Sequence, residues 1–252
     1  MPDHRRDAEL ARGLADEAGR LLLDVREQGL TGRELAADGD ARSHEHLLGR
    51  LQQERPGDAV LSEEGEDDAA RLSSERVWIV DPLDGTREFA EAGRTDWAVH
   101  VALWQRDELV AGAVALPARG VTFGTDVPAR RPTGLPAPIR LAVSRSRPPA
   151  FVGALAERIG AELVPMGSAG VKATAVLDDA ADAYVHAGGQ YEWDSAAPVA
   201  VCRSSGLWTS RLDGSALRYN RRDPLLPDLL VCRPEIAELL LTELRAYLPE
   251  VD

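Results

Sequence analysis

Apolar residues at Leu10, Leu14, Ala18, Leu21, Leu22 and Val25 recur at the intervals of one helical face, which predicts an amphipathic first helix over residues 7–28. A second helix is predicted over 41–54, with Leu47, Leu48 and Leu51 inward and a stop before Pro56 and Gly57. Short apolar runs bounded by turn residues follow at 59–61, 77–80, 97–104 and 109–116, and these read as strands. The stretch 128–138, PARRPTGLPAP, is rich in proline and basic residues and reads as a loop where two subdomains meet. Beyond it the pattern predicts a strand at 139–143, helices at 149–160 and 169–177, a strand at 183–186 and a helix opening near Ser195. Two helices and a run of strands, then alternating elements, describe an α/β (α+β layered) protein. A single domain is expected over 1–252, built from two closely joined subdomains.

Composition narrows this picture. The chain has 252 residues, 44% of them hydrophobic, enough for a sizeable core. No apolar run approaches the roughly 20 residues of a membrane helix, and the first dozen residues are polar, so a cytoplasmic protein without a membrane partner is expected. Cys202 and Cys232 form no C-x-x-C pair and are expected to be small buried hydrophobes. The net charge of -13, with basic residues scattered, argues against a nucleic-acid polymer as partner. A small anion remains compatible with that charge if divalent cations supply positive charge locally.

The chemistry concentrates in residues 77–89, VWIVDPLDGTREF, where a buried strand is predicted to end at Asp81 and the chain to turn through Pro82, Leu83 and Asp84. Asp-Gly alone is an ordinary turn pair. Here Pro82 restricts the backbone between two carboxylates, and Gly85-Thr86 leaves amides near a helix start, suited to a phosphate. Upstream, LSEE at 61–64 places Glu63 and Glu64 just after a strand; by themselves they read as a solvated acidic face, like the following Glu66, Asp67 and Asp68. Downstream, Glu192, Trp193 and Asp194 precede an apolar helix, and Asp194 by itself reads as an N-cap or first-turn acid.

Taken in order, Glu63-Glu64, Asp81-Pro82-Leu83-Asp84-Gly85-Thr86 and Trp193-Asp194-Ser195-Ala196-Ala197 resemble the inositol monophosphatase superfamily, whose pattern is E-E, D-P-x-D-G-T and W-D-x-A-A. The resemblance implies an α-β-α-β-α sandwich and a phosphomonoesterase with two or three Mg2+ per site. It implies that Glu63, Asp81 and the Leu83 carbonyl hold one ion, that Asp81, Asp84 and Asp194 hold a second, and that a metal-activated water attacks phosphorus directly. Glu63 and Thr86 would orient that water, with Thr86 supported by an aspartate matched to Asp40, which otherwise reads as a helix N-cap. Gly85 and Thr86 amides would cradle the phosphate. The segment 33–38, RELAAD, departs from the family's lysine and V-T pair, and leaves the flap contacts and third metal site open.

Arg87-Glu88-Phe89 after the motif is similar to the D-G-T-K/R-E-F of 3'(2'),5'-bisphosphate nucleotidases, whereas inositol monophosphatases more often carry D-G-T-x-N-F. This implies a phosphorylated nucleotide such as 3'-phosphoadenosine 5'-phosphate, in a sulfate-assimilation setting. Inositol-1-phosphate, fructose-1,6-bisphosphate and histidinol phosphate are the alternatives, and a non-catalytic metal-binding protein on the same fold is the reading from another class. AVSRSR at 142–147 resembles the nucleotidase segment near the second phosphate, with Ser144, Arg145, Ser146 and Arg147 as candidates. MGSAGVKA at 166–173 resembles its G-S-x-x-x-K, with Ser168 and Lys172 as contacts. Asp84, Gly85, Thr86, Arg87 and Asp194 complete the expected substrate contacts. Gly188-Gly189-Gln190 leaves room for a base or sugar against the backbone. His44 and His46, two apart, do not share a helical face and are not read as ligands. The resemblance admits a homodimer as well as a monomer.

Overall fold

Alternation along the central strands assigns the layers. In β2 (Arg76–Asp84), Trp78 and Val80 join the core beneath the two N-terminal helices, α1 (His4–Arg26) and α2 (Gly32–Glu54), while Val77 and Ile79 join a second core on the opposite face. Successive residues of a strand point to opposite faces, so a strand covered on both sides is apolar throughout. The first sheet has the order β1-β2-β3-β4-β5, adding β1 (Ala59–Ser62), β3 (Ala98–Gln105), β4 (Glu108–Leu116) and β5 (Val121–Gly124); β1 and β2 run parallel and the rest antiparallel. A short helix, α3 (Thr86–Ala90), leaves the end of β2.

The second sheet has the order β7-β6-β8-β10-β9, from β6 (Arg140–Ser144), β7 (Glu162–Met166), β8 (Ala183–Tyr191), β9 (Trp208–Ser210) and β10 (Leu225–Cys232). Between the sheets lie α5 (Ala169–Thr174) and α6 (Glu192–Ser204), whose apolar residues share one core with both. The outer face of the second sheet is covered by α4 (Val152–Ile159) and α7 (Pro234–Leu244). The result is an α-β-α-β-α sandwich. The computed structural model describes residues 4–134 and 137–247. The segment 128–138 falls between the two sheets in sequence, and its Leu135 and Pro136 lie outside the described residues. Among the described residues no helix is long and apolar enough to cross a membrane. Cys202 and Cys232 are free and buried.

Several boundaries differ from the sequence expectation. Helix α2 starts at Gly32, so Asp40 lies inside the helix and is not its N-cap. The segment 33–38 is its first turns, held by burial of Leu35 and by Gly39 against Phe89 and Leu83, which a scan for apolar periodicity does not register. Strand β2 continues past Asp81 to Asp84 because a register shift between them lets both pair with β3. Helix α6 begins at Glu192, ahead of Ser195, and α5 ends at Thr174, short of 177. Strand β8 runs on through Gly188-Gly189 to Tyr191 because β10 pairs along it. Strands β5, β7, β9 and β10 and helix α7 had no sequence expectation; Pro227 and an irregularity between Leu226 and Asp228 break the alternation of β10.

The start of α6 is anchored from a distance. Glu192 accepts the backbone N–H groups of Asn220 (2.6 Å) and Arg221 (2.7 Å). The fully buried Arg71 donates to Asn220 Oδ1 (2.7 Å), the Arg221 carbonyl (2.8 Å) and Asp67 Oδ1 (2.6 Å). A buried guanidinium with every bond met is stable, but its partners are left unsatisfied if it is removed. Arg71→Met is therefore expected to destabilise the protein by about 2–3 kcal/mol, from the usual value of hydrogen bonds to a charged group. The check is equilibrium urea unfolding; an unchanged midpoint would show that the 67–71 turn does not anchor α6.

Candidate active site

The shift in β2 points two carboxylates to the same region. Asp81 is paired with His100 of β3 and Asp84 with Ala98. The backbone between them is held by the Leu83 N–H to Asp81 Oδ1 (3.0 Å) and by Ser43 of α2, whose hydroxyl donates to the Pro82 carbonyl (2.7 Å). Gly85 then takes φ 85°, the left-handed region, where an added Cβ would also meet the Asp96 carbonyl at 3.2 Å. That turn starts α3 and places Thr86, whose Oγ1 lies 3.1 Å from the Leu83 carbonyl and 3.4 Å from Asp40 Oδ1.

Asp194 arrives from the other half of the chain, in the first turn of α6, where its Oδ2 accepts the Tyr191 N–H (2.6 Å). Asp81, Asp84 and Asp194 each bring a carboxylate oxygen within 4.8 Å of the others. Such an all-oxygen cluster, largely out of water, suits a hard divalent cation. Glu63, just after β1, lines the same cleft outside this cluster.

The electrostatics divide the carboxylates. Burial and the negative charges of Glu63, Asp84 and Asp194 push Asp81 well above the usual carboxylate range. Burial and Asp84 push Asp194 up to about 7, and the same two causes push Glu63 up to about 7, its carboxyl being open to the cleft yet ringed by protein. Asp40 is raised to about 7 by burial and Glu64. Asp84 behaves oppositely. Burial works against its charge too, but His100, Lys172 and Ser168 outweigh it and hold Asp84 below its ordinary value. Its Oδ2 accepts the Ser168 hydroxyl and the Gly170 N–H (2.7 Å).

The cleft, of about 330 Å³, extends from the carboxylates toward α5 and β8. Gly85, Thr86, Arg87, Ser144, Lys172, Gly188 and Gly189, named from the sequence as candidates to meet the substrate, line it. Ser146 and Arg147 do so as well. Arg145 does not: it is engaged by Glu88 (2.6 Å) and Glu91 (2.8 Å), and so braces α3. Ser168 borders the cleft, but its hydroxyl is committed to Asp84. Lys172 is buried with Nζ on the Ser168 carbonyl (2.5 Å), and burial lowers its pKa. His44 and His46 pair elsewhere, with Ser62 and Glu17.

Sequence reasoning missed His100 on β3 and Tyr184 and His186 on β8, and gave Gln190 no role beyond leaving room for a base or sugar. His186 lines the cleft, is kept neutral by burial with a pKa lowered to about 4, and donates from Nε2 to the Gly188 carbonyl (2.7 Å). Its Nδ1 and the Oε1 of Gln190 are buried acceptors without a protein partner, while Gln190 Nε2 donates to the Tyr184 hydroxyl (2.8 Å). The available signal was the alternation of β8, which puts Tyr184 and His186 on one face. His100, fully buried between Asp81 and Asp84, was also missed; burial disfavours its charge, but Asp84 more than compensates and raises its pKa.

Asp40, Glu63, Asp81 and Asp194 all have folded pKa values above those of free carboxylates. The folded protein therefore binds more protons than the unfolded chain between pH ~4 and ~7, and stability falls as the pH rises through that window. Depressed carboxylates such as Asp84 and the Arg-paired Asp7 act in the other direction only at the acid end, while His186, lowered to about 4, opposes the trend between pH ~4 and ~6.5 as one group against four. The Tm of chelator-treated protein is expected to drop from pH ~5 to ~7.5, and millimolar Mg2+ should remove most of the drop. A Tm in chelator that is flat or rising across this range would contradict the clustering of carboxylates.

The family model for the inositol monophosphatase family matches residues 3–248. The chain is 55% identical over 238 residues to a 3'-phosphoadenosine 5'-phosphate phosphatase of Mycobacterium bovis, covering 89% of this chain and 88% of the relative. It is 53% identical over 253 residues to the protein of the same name from Mycobacterium leprae, covering 95% and 93%. Among solved structures, inositol monophosphatase II of Staphylococcus aureus superposes with a TM-score of 0.80 at 21% identity, over 94% of this chain and 92% of that one, a likeness of fold. With the three motifs converging on one cleft and the match running almost end to end, the chain belongs to the inositol monophosphatase family.

Proposed function

We propose that this protein is a Mg2+-dependent phosphomonoesterase that converts 3'-phosphoadenosine 5'-phosphate to AMP and phosphate. The observation that carries the reading is the cluster of Asp81, Asp84 and Asp194 beside a cleft bordered by Arg87, Arg147 and Lys172. Identity of 53–55% to phosphatases named for that substrate supports the choice of ester. Asp81, Asp84 and Asp194, with Glu63 and the Leu83 carbonyl, would hold the cations. When bound, these would neutralise phosphoryl oxygens and acidify a water.

The remaining work falls to the chain itself. Thr86 Oγ1 directs its proton to the Leu83 carbonyl or Asp40, so its lone pairs face the cleft and accept a hydrogen from the attacking water. Glu63, which lines the same cleft, would accept the other hydrogen of that water, leaving an oxygen lone pair free for phosphorus. Gly85 and Thr86 present backbone at the point where the transferred group sits, and phosphoryl transfer depends chiefly on such positioning. Arg87, Arg147 and Lys172 supply the positive charge for a second phosphate, which selects a bisphosphate over a monophosphate. His186 and Gln190 give the cleft a neutral, polar wall that would suit the body of a nucleoside.

Phosphate release with Mg2+ from equimolar 3'-phosphoadenosine 5'-phosphate, inositol-1-phosphate, fructose-1,6-bisphosphate and histidinol phosphate tests the reading. The nucleotide is expected to lead in kcat/KM by about tenfold or more, ~1.4 kcal/mol of transition-state preference. Another substrate in the lead would replace the nucleotide assignment, and no metal-dependent turnover of any ester would overturn catalysis. Thr86→Val is expected to lower kcat by about a hundredfold or more with little change in KM, because it removes an orientation that matters only in the transition state. A variant raising KM alone would assign Thr86 to substrate binding.

A further inference from the structure

The metal-binding carboxylates come from two parts of the chain that nothing local keeps in register: the end of β2, in the first sheet, and the first turn of α6, packed between the sheets. His100 sits at their junction. The antiparallel register of β2 and β3 places it directly across from Asp81, and its side chain is completely buried. Nδ1 lies 3.1 Å from the carbonyl oxygen of Trp193, the residue before Asp194. Nε2 lies 3.2 Å from Asp84 Oδ2, in ion-pair range though off hydrogen-bond alignment, and Nδ1 is 3.9 Å from Asp81 Oδ2. One planar ring thus spans from an aspartate of the first sheet to the backbone that carries Asp194.

The space for this ring is made by α5. A Cβ on Gly170 would sit 2.1 Å from His100 Nε2, so no other residue type fits there with the ring in place. The Gly170 N–H also donates to Asp84 Oδ2, the oxygen that faces His100. Ser168, Gly170 and His100 therefore converge on the same Asp84 oxygen, and Oδ1 accepts none of these contacts. Ser168 and Gly170 hold Asp84 from the side of α5, whereas His100 reaches across to α6.

We propose that His100 is a positioning residue of the metal centre, holding Asp84 and the Trp193 carbonyl at a fixed separation so that Asp81, Asp84 and Asp194 keep the spacing a divalent cation requires. The proposal rests on the metal-dependent reading above. Groups behind metal ligands act by orientation, and their loss commonly weakens metal binding by about ten- to a hundredfold. The ring does not border the cleft, so its effect is on the cation sites rather than on the ester.

The test is calorimetric titration of the full chain with Mg2+ alone, alongside kinetics and unfolding in chelator. His100→Leu removes both contacts and is expected to weaken Mg2+ binding by about tenfold or more, raising the Mg2+ needed for half-maximal rate in proportion. KM for the ester at saturating Mg2+ should change by no more than about threefold, which separates cation positioning from substrate binding. His100→Asn can keep the Trp193 contact and His100→Gln the Asp84 contact, so each should fall between wild type and His100→Leu. Variants that bind Mg2+ as tightly as wild type, or more tightly, would overturn the proposal. An equal loss in all three would also overturn it, since that pattern belongs to packing volume rather than to two directed contacts. If His100→Leu shows no cooperative unfolding, the Asn and Gln variants decide by the same criterion. Wild-type protein that takes up no Mg2+ would instead remove the metal-dependent reading on which the proposal stands.

Discussion

Three carboxylates with oxygens held within 4.8 Å of one another, largely out of water, are the constraint around which this molecule is organised. Like charges at that distance in a protein interior repel by several kcal/mol before any compensation. The fold brings Asp81 and Asp84 together through a shifted strand end and adds Asp194 from a helix pinned in the middle layer. Much of the surrounding structure can be understood as holding that arrangement against repulsion. Ser43 fixes the Pro82 carbonyl, Arg71 and Glu192 fix the start of α6, and Ser168 with Gly170 fixes Asp84.

The compensation is uneven, and the unevenness matters chemically. Asp84 collects nearly all the nearby donors and positive charge, which keeps it ionised, whereas Asp81, Asp194 and Glu63 are left to share the repulsion and rise in pKa. Carboxylates raised in this way bind a proton more readily than free ones, and a divalent cation would need the same oxygens. Divalent ions and protons then compete for the same oxygens. The wall toward β8 has a different character, with neutral His186, Gln190 and Tyr184 beside Lys172 and Arg147. The cleft thus passes from a region of concentrated negative charge to one of cations and neutral acceptors, which suits a ligand with phosphate at both ends and a polar body between.

Much of the site was legible in the sequence because its carboxylates sit in short contiguous motifs. Glu63, Asp81, Asp84, Thr86 and Asp194 could be named from the family pattern that their motifs resemble, and all of them line one cleft. The layered arrangement was legible for a similar reason, since the double-sided burial of β2, β3 and β4 writes near-continuous apolar runs. Helix α2 was placed nine residues short because its first turns depend on Leu35 and Gly39 meeting α3, a contact with no periodic signature. Arg145 was placed with the substrate because it lies between serines in a basic run, yet Glu88 and Glu91 attract it first.

The sequence by itself determined the donor types, their order and the family pattern, because Asp-Pro-Leu-Asp-Gly-Thr carries its carboxylates and hydroxyl in consecutive residues. Only the tertiary structure decided which carboxylate is stabilised and which is strained, since that depends on groups such as Ser168, Lys172 and His100 that reach Asp84 from other elements. It alone placed His100 beside Asp81, Asp84 and the Trp193 carbonyl, for a histidine in an apolar strand gives no sign of what lies across the sheet or on the helix above it. Local chemistry is written in consecutive residues; electrostatic environment is a property of what surrounds them in space.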